Sequence, residues 1–134
     1  MDAATFDVTR IEALLCDADG NLFPSEEPAF EASVKVVNRF MASVGCPDRF
    51  AADGLRRETT GKNFRTTLTD LCAERGLPLG WETLESWVAE ERRCVTAHLA
   101  SVLVPSPWVR EPLQETAKHH RLVAVSSSAV RRRP

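Results

Sequence analysis

The stretch Leu14–Phe23, which reads LLCDADGNLF, decides how this chain is interpreted. An apolar run over 11–16, interrupted by one glutamate, stops at two carboxylates, Asp17 and Asp19, and Gly20 follows them directly. A short apolar run that is bounded by a turn signal predicts a buried strand. Ligands bind at the carboxyl ends of strands in open α/β sheets, so the two acids are candidate functional residues.

Two carboxylates held close together repel each other unless a cation lies between them. Asp17 and Asp19 therefore indicate a hard divalent metal, an acid/base pair, or both. Magnesium suits carboxylate and carbonyl oxygens, and it leaves room for water and a substrate phosphate. The simpler alternative is a solvated Asp-Ala-Asp-Gly turn, because Asp and Gly are common turn residues.

Composition limits the classes of protein to consider. The 134 residues are 43% hydrophobic, enough for one globular domain, and the formal net charge is -2 with a pI near 5.9. This balance gives no electrostatic case for nucleic acid, and no apolar run is long enough for a membrane span. Met1–Ala4 also lacks the basic start and apolar segment of a secretory signal. We expect a soluble cytoplasmic protein.

The cysteines and histidines do not form a metal-binding pattern. Four cysteines are spread along the chain without a Cys-x-x-Cys pair: Cys16, Cys46, Cys72 and Cys94. The three histidines do not complete a zinc-ligand spacing either. We therefore expect reduced cysteines that act as small structural hydrophobes.

Helical periodicity dominates the middle of the chain. The pattern predicts helices over 25–44, 48–58, 64–75, 82–102 and 108–120, followed by a second short strand over 122–125. Two strands joined through a helix predict a parallel pair with a right-handed crossover. The intervening helices are too many for a simple crossover, so we interpret them as an insertion. Its apolar centre is predicted to contain Phe40, Leu68, Leu71, Trp87 and Leu99.

These features together resemble the haloacid dehalogenase-like (HAD) hydrolase superfamily, in its phosphatase/phosphomutase-like branch with a helical cap. Leu14–Phe23 resembles the first motif of that family, with Asn21 in place of the usual threonine, and Val123–Ser126 resembles the second. The resemblance implies an α/β fold with a Rossmann-like parallel-sheet core. The core would comprise residues 1–23 and 104–134, incomplete with two strands, and the inserted α-helical cap residues 24–103.

The resemblance also implies roles for individual residues. Asp17 would be the nucleophile that forms an aspartyl-phosphate, and Asp19 would protonate the leaving oxygen and then activate water. The side chain of Asp17 and the backbone carbonyl of Asp19 would bind Mg²⁺, and Ser126 would donate a hydrogen bond to the phosphoryl group. Expelling an alkoxide benefits from a general acid whereas expelling halide does not. Asp19 therefore favours phosphoryl transfer, with a small phosphorylated metabolite as substrate.

Two further positions are candidate substrate contacts. Lys62 lies in a polar loop between helices of the insertion and is either an anion contact or an exposed lysine in an ordinary turn. Ser127, like Ser128 after it, either lines the site or begins a turn or caps a helix.

The chain departs from the family pattern after the second motif. No lysine follows Lys118 and no acidic residue follows Glu115, so the third and fourth motifs are missing. Arg131–Arg133 is either a substitute phosphate contact or a solvated tail. We interpret the chain as a truncated N-terminal portion of a HAD-like hydrolase. The alternative is a non-catalytic fragment in which the helices act as a protein-interaction module.

Overall fold

The computed structural model describes residues 7–126, which form two compact units. The strand unit comprises residues 7–24 and 103–126, and the helical unit comprises residues 25–102. After a short 3₁₀ turn at Val8–Arg10, the elements are β1 (Ala13–Asp17), α1 (Glu26–Ser43), α2 (Ala52–Glu58), α3 (Phe64–Glu74), α4 (Trp81–Val102), α5 (Pro107–Thr116) and β2 (Arg121–Val125). The predicted α/β class is confirmed, with two parallel strands and five helices among these residues.

Glycine ends two of the helices in the same way. After α1, Gly45 has φ of 72° and its N–H donates to Ala42 O, while the next N–H, of Cys46, donates to Met41 O. Gly76 ends α3 with φ of 61° and the equivalent pair of hydrogen bonds. This is the Schellman arrangement, in which a left-handed residue satisfies the last carbonyl groups of a helix. Glycine adopts that conformation without the steric cost of a Cβ atom.

The core of the helical unit lies between α1, α2, α3 and α4. Its buried residues are Val34, Val37, Phe40, Met41, Leu55, Leu68, Leu71, Cys72 and Leu84. Three predicted core residues, Phe40, Leu68 and Leu71, belong to this cluster, and Trp87 packs against it with its ring perpendicular to Phe40 at 5.6 Å. The prediction for Leu99 was wrong: it is half-buried and lies outside the cluster, because the core is centred on the N-terminal half of α4.

The second helix begins later than predicted. Residues 47–51 are not helical, and α2 starts at Ala52 rather than at residue 48. The side-chain amide of Asn38 explains the difference, because its Nδ2 donates to Phe50 O at 2.9 Å and its Oδ1 accepts from Phe50 N at 2.8 Å. Both backbone groups of Phe50 are thus bonded to α1, which competes with helix formation at this position.

An ion-pair cluster joins α1 to α4 on the surface of the helical unit. Glu90 accepts hydrogen bonds from Arg93, one turn further along α4, and from Arg39 on α1, with N···O distances of 2.7–3.0 Å. The Arg93 guanidinium first, and then that of Arg39, lower the pKa of Glu90 to about 2. Arg39 also lies over the Trp87 ring, 5.7 Å from its centroid. The cluster therefore pairs charges where the two longest helices meet.

The strand unit contains the predicted parallel pair. Ala13 pairs with Arg121 and the register continues to Asp17 opposite Val125. The prediction that the first strand is buried was wrong for this chain. The exposed fractions are 74% for Leu15 and 49% for Val125, and no residue of either strand is buried. Parallel sheets are usually covered on both faces, and two strands with one helix in the unit are too few to do this among residues 7–126.

Within residues 7–126, no helix is both long enough and apolar enough to cross a lipid bilayer.

The buried aromatic ring of α1 should dominate the stability of the helical unit. Phe40→Ala removes a side chain with no exposed surface, so we expect it to lower the free energy of unfolding by about 3–5 kcal/mol. Urea denaturation followed by circular dichroism at 222 nm measures this loss. Lys35→Ala, at an exposed position of the same helix, should change the free energy by less than about 0.5 kcal/mol.

The Glu90 cluster should make stability fall in acid. A carboxyl group whose pKa is lower in the folded than in the unfolded state stabilises the fold at pH values above its unfolded-state pKa, which is 4.5 for Glu90. This stabilisation is lost as the pH falls towards the folded-state pKa of about 2. We therefore expect the urea midpoint of the parent to drop more between these pH values than that of Glu90→Gln. A drop of equal size in both proteins would contradict this expectation, and Glu82→Gln, exposed on the same helix, is the matched control.

Candidate functional site

The ends of the two strands bring the predicted site residues to one edge of the sheet. Asp17 is the last residue of β1 and pairs with Val125, the last residue of β2. The ladder extends one step further, because Ala18 N donates to Val125 O at 3.0 Å. The residues that follow on each strand, Asp19 and Ser126, therefore leave the sheet side by side.

A tight turn follows the two acids. Leu22 N and Phe23 N both donate to Ala18 O at 3.0 Å, and Gly20 N donates to Phe23 O at 2.9 Å. Gly20 has φ of 72°, a left-handed conformation that few other residues adopt without strain. The glycine after the acids is thus required by the turn that holds Asp19 at the end of the strand.

A side-chain hydrogen bond also connects the two sequence motifs. The hydroxyl of Ser126 donates to Asp19 Oδ2 at 2.5 Å, across a separation of 107 residues in the chain. Asp19 is half-buried, whereas Asp17 and Ser126 are exposed. The edge therefore offers two carboxylates and a hydroxyl donor in one region, which supplies a candidate nucleophile, a candidate proton carrier and a hydrogen-bond donor for an oxygen-rich substrate.

The other two predicted site residues are Lys62 and Ser127. Lys62 lies in the helical unit, between α2 and α3, and its ammonium group pairs with Asp70 at 2.8 Å. This carboxylate raises the pKa of Lys62, so the lysine is charged and already has a partner. Ser127 lies outside the described residues, as do Ser128 and Arg131–Arg133.

A histidine that the sequence did not single out for the site supports the sheet from its opposite end. His120 Nδ1 lies 2.7 Å from the carbonyl oxygen of Ile11 and must donate, since a carbonyl oxygen can only accept. Arg121 N also donates to Glu12 O at 2.9 Å. The sequence predicted this histidine in a helix over 108–120, but α5 ends at Thr116, so His120 lies outside it and directly before β2. No local sequence signal identifies such a contact over 109 residues.

The donor groups of the edge fit magnesium. The family resemblance implies this ion, and Asp17 and Asp19 offer oxygen atoms of the kind it prefers. Within residues 7–126, no group of three or more His, Cys, Asp or Glu residues is arranged to hold a metal. Magnesium is commonly bound through only one or two carboxylates together with water and substrate phosphate, so two carboxylates are compatible with it.

Comparison with known proteins identifies the fold. No protein-family model and no curated protein matches the chain. A crystal structure described as a predicted phosphoglycolate phosphatase from Haemophilus somnus 129PT matches with a TM-score of 0.66 at 16% identity, over 92% of this chain and 55% of that one. The crystal structure of a HAD-superfamily hydrolase, subfamily IA, variant 1, from Geobacter sulfurreducens PCA matches with a TM-score of 0.51 at 24% identity. The match covers 87% of this chain and 51% of that one.

The chain therefore has a HAD-like fold, and it spans about half the length of these two structures. At these identities the similarity establishes the fold alone. The fold expected from the two motifs is confirmed.

The histidine contact should stabilise the strand pair locally. His120→Ala leaves the Ile11 carbonyl without its donor. We therefore expect the free energy of the opening that exposes the ladder amides of Ala18 and Arg121 to exchange to fall by about 1 kcal/mol. Hydrogen exchange followed by NMR measures this change. His119→Ala, an exposed neighbour, is the matched control. Equal protection in the two variants would show that the imidazole does not hold the strands together.

Proposed function

We propose that this chain carries the nucleophile and the acid/base group of a HAD-like phosphohydrolase that acts on a small phosphorylated metabolite. The observation that carries the proposal is the hydrogen bond between Ser126 and Asp19, next to Asp17 at the ends of paired parallel strands. Phosphoryl transfer by a carboxylate needs a nucleophile, a proton carrier and a phosphate-binding donor around one phosphorus atom. The three residues provide these groups.

In the first step, a carboxylate oxygen of Asp17 attacks the phosphorus atom and the bond from phosphorus to the ester oxygen breaks. Asp19, in its protonated form, gives its proton to the departing oxygen, which leaves as an alcohol. A positioned general acid typically contributes about 100- to 10,000-fold to the rate of such a step. The product on the protein is an aspartyl-phosphate.

In the second step, water attacks the phosphorus atom of the aspartyl-phosphate. Asp19, now a carboxylate, accepts the proton of that water, and the acyl oxygen of Asp17 leaves to restore the free carboxylate. Inorganic phosphate is the second product, and both acids return to their starting protonation states. The Ser126 hydroxyl donates to a phosphoryl oxygen, so its bond to Asp19 in the free protein would be exchanged for one to substrate.

Magnesium completes the proposed site. The Asp17 side chain and the Asp19 backbone carbonyl would hold the ion, which when bound neutralises charge on the phosphoryl oxygens. Asp17 thereby faces a phosphate whose negative charge no longer repels it.

We further propose that the helical unit is a cap that selects the substrate, with residues 24–103 as its extent. Lys62 is the candidate anion contact of the cap, although a substrate would have to compete with Asp70 for its ammonium group. Ser127 is a second candidate contact, next to Ser126 in the sequence. The proposed location is the cytoplasm, a reducing compartment, for which the four free cysteines provide support.

A second candidate function is a non-catalytic interaction module. The exposed apolar side chains of the sheet favour it, since Leu15 and Val125 expose 74% and 49% of their surface. A direct measurement of turnover distinguishes the catalytic proposal from the interaction-module proposal.

Turnover of an aryl phosphate should require Asp17 and also residues that the C-terminal half of a related hydrolase would supply. Losing one preorganised charge-stabilising group costs about 100- to 1000-fold in rate, and no lysine follows Lys118 in the 134 residues. We expect the 134-residue chain to hydrolyse p-nitrophenyl phosphate barely or not at all. Addition of the C-terminal half of a related hydrolase, as a separate chain or a fusion, should give magnesium-dependent turnover.

Asp17→Asn should abolish that turnover, because an amide is a poor nucleophile. Asp53→Asn, at an exposed position of α2, should leave the turnover unchanged. If the completed protein is folded but inactive, the interaction module becomes the better proposal. Fast turnover by the 134-residue chain alone would instead require other groups to replace the missing motifs.

A further inference from the structure

The helical unit contains a cavity whose lining includes Lys62 but neither of the two acids of the sheet edge. Its volume is about 310 Å³, and all four helices of the unit contribute to its walls. The apolar lining residues are Ala29, Phe30, Val37, Leu55, Phe64 and Val95. Small-molecule sites in proteins have volumes of about 300–1,000 Å³, mostly apolar walls and a few polar groups, so the cavity has the size and lining of a site for a small ligand.

The principal polar group in this cavity is the carboxylate of Glu91 on α4. It is half-buried, and its desolvation raises the pKa of the group above the usual value. Ser33 on α1 lines the same cavity, and its hydroxyl offsets part of this rise in the pKa of Glu91. Within residues 7–126, none of the described ion pairs involves Glu91. A carboxylate removed from water is costly unless a cation compensates it.

The cations near Glu91 do not form an ion pair with it. Arg92, its neighbour on α4, acts on the carboxylate only through its charge, which lowers the pKa of Glu91 in part. The Lys62 ammonium group pairs with Asp70 at 2.8 Å. Glu26 adds a second carboxylate to the lining, and its nearest cation, Arg56, is 4.0 Å away with both side chains more than half exposed. Exposed pairs of this kind contribute little. The cavity therefore combines apolar walls with a carboxylate that takes part in none of the described ion pairs and whose charge Arg92 offsets only in part.

We propose that this cavity binds a small primary amine with an apolar body, whose ammonium group pairs with Glu91. The apolar body would pack against Phe30 and Phe64, and the ammonium would donate to the Glu91 carboxylate next to Ser33. A charged hydrogen bond in a partly desolvated site is stronger than a neutral one. The proposed contact to Glu91 involves neither Asp17 nor Asp19, although the cavity shares Lys62 with the proposed substrate contacts.

Charge complementarity distinguishes the amine from other occupants. An uncharged molecule of the same shape would fill the apolar walls but would leave Glu91 without a counter-ion. An anion would be repelled by Glu91 and Glu26 together. The affinity of the cavity should therefore decrease from the amine to the alcohol to the carboxylate.

Binding of 2-phenylethylamine, 2-phenylethanol and phenylacetate to the full chain tests this order at constant ring size and similar length. Isothermal titration calorimetry and NMR shifts of the Phe30, Phe64 and Glu91 amides provide the readout. We expect the amine to bind about tenfold more tightly than the alcohol, and the carboxylate to bind most weakly. Equal affinities of amine and alcohol, or no amine binding at millimolar concentrations, would overturn the proposal.

Glu91→Gln keeps the shape of the side chain and removes its charge. We expect it to reduce the affinity for the amine about tenfold, to that of the alcohol, and to leave the alcohol unaffected. Glu82→Gln, exposed on the same helix, should change neither affinity. An unchanged amine affinity in Glu91→Gln would contradict the proposal, and if that variant does not fold, the amine-to-alcohol ratio of the parent decides alone.

Discussion

The parallel register of β1 and β2 is the constraint on which the candidate site depends. It sets Asp17 opposite Val125, and the next ladder bond, from Ala18 N to Val125 O, brings Asp19 next to Ser126. A shift of one residue would turn the side chains of one strand to the other face of the sheet and separate the hydroxyl from the carboxylate. His120 holds the opposite end of the pair in the same register.

Local sequence patterns predicted much of this arrangement. The two strands, their parallel pairing and the helical region between them follow from hydrophobic periodicity and from glycines such as Gly45 and Gly76 that end helices. Asp17 and Asp19 could be selected from the sequence because ligands bind at the carboxyl ends of strands in open α/β sheets. Ser126 was selected through the resemblance of Val123–Ser126 to the second motif of the family. The structural similarity to HAD-superfamily proteins agrees with that interpretation at the level of fold.

The features that the sequence did not predict depend on contacts between distant residues. The start of α2 is set by the amide of Asn38, 12 residues from Phe50, and the His120 contact reaches across 109 residues. The exposure of Leu15 could not be predicted from the local sequence. The residues of a parallel strand are apolar whether or not the given chain covers both faces of its sheet. The position of Glu91 at the cavity could not be predicted from sequence either, because the other faces of the same helix carry many charged residues.

The most direct measurement of the proposed chemistry is borohydride trapping in the chain completed with the C-terminal half of a related hydrolase. The protein is incubated with magnesium and acetyl phosphate, reduced, and analysed by peptide mass spectrometry. Borohydride reduces an acyl phosphate to an alcohol, so an aspartyl-phosphate becomes homoserine. We predict homoserine at position 17 and unmodified aspartate at position 19, since only Asp17 is proposed to bond to phosphorus. Homoserine at position 19, or consumption of acetyl phosphate with both aspartates unmodified, would contradict the assignment of Asp17 as the nucleophile.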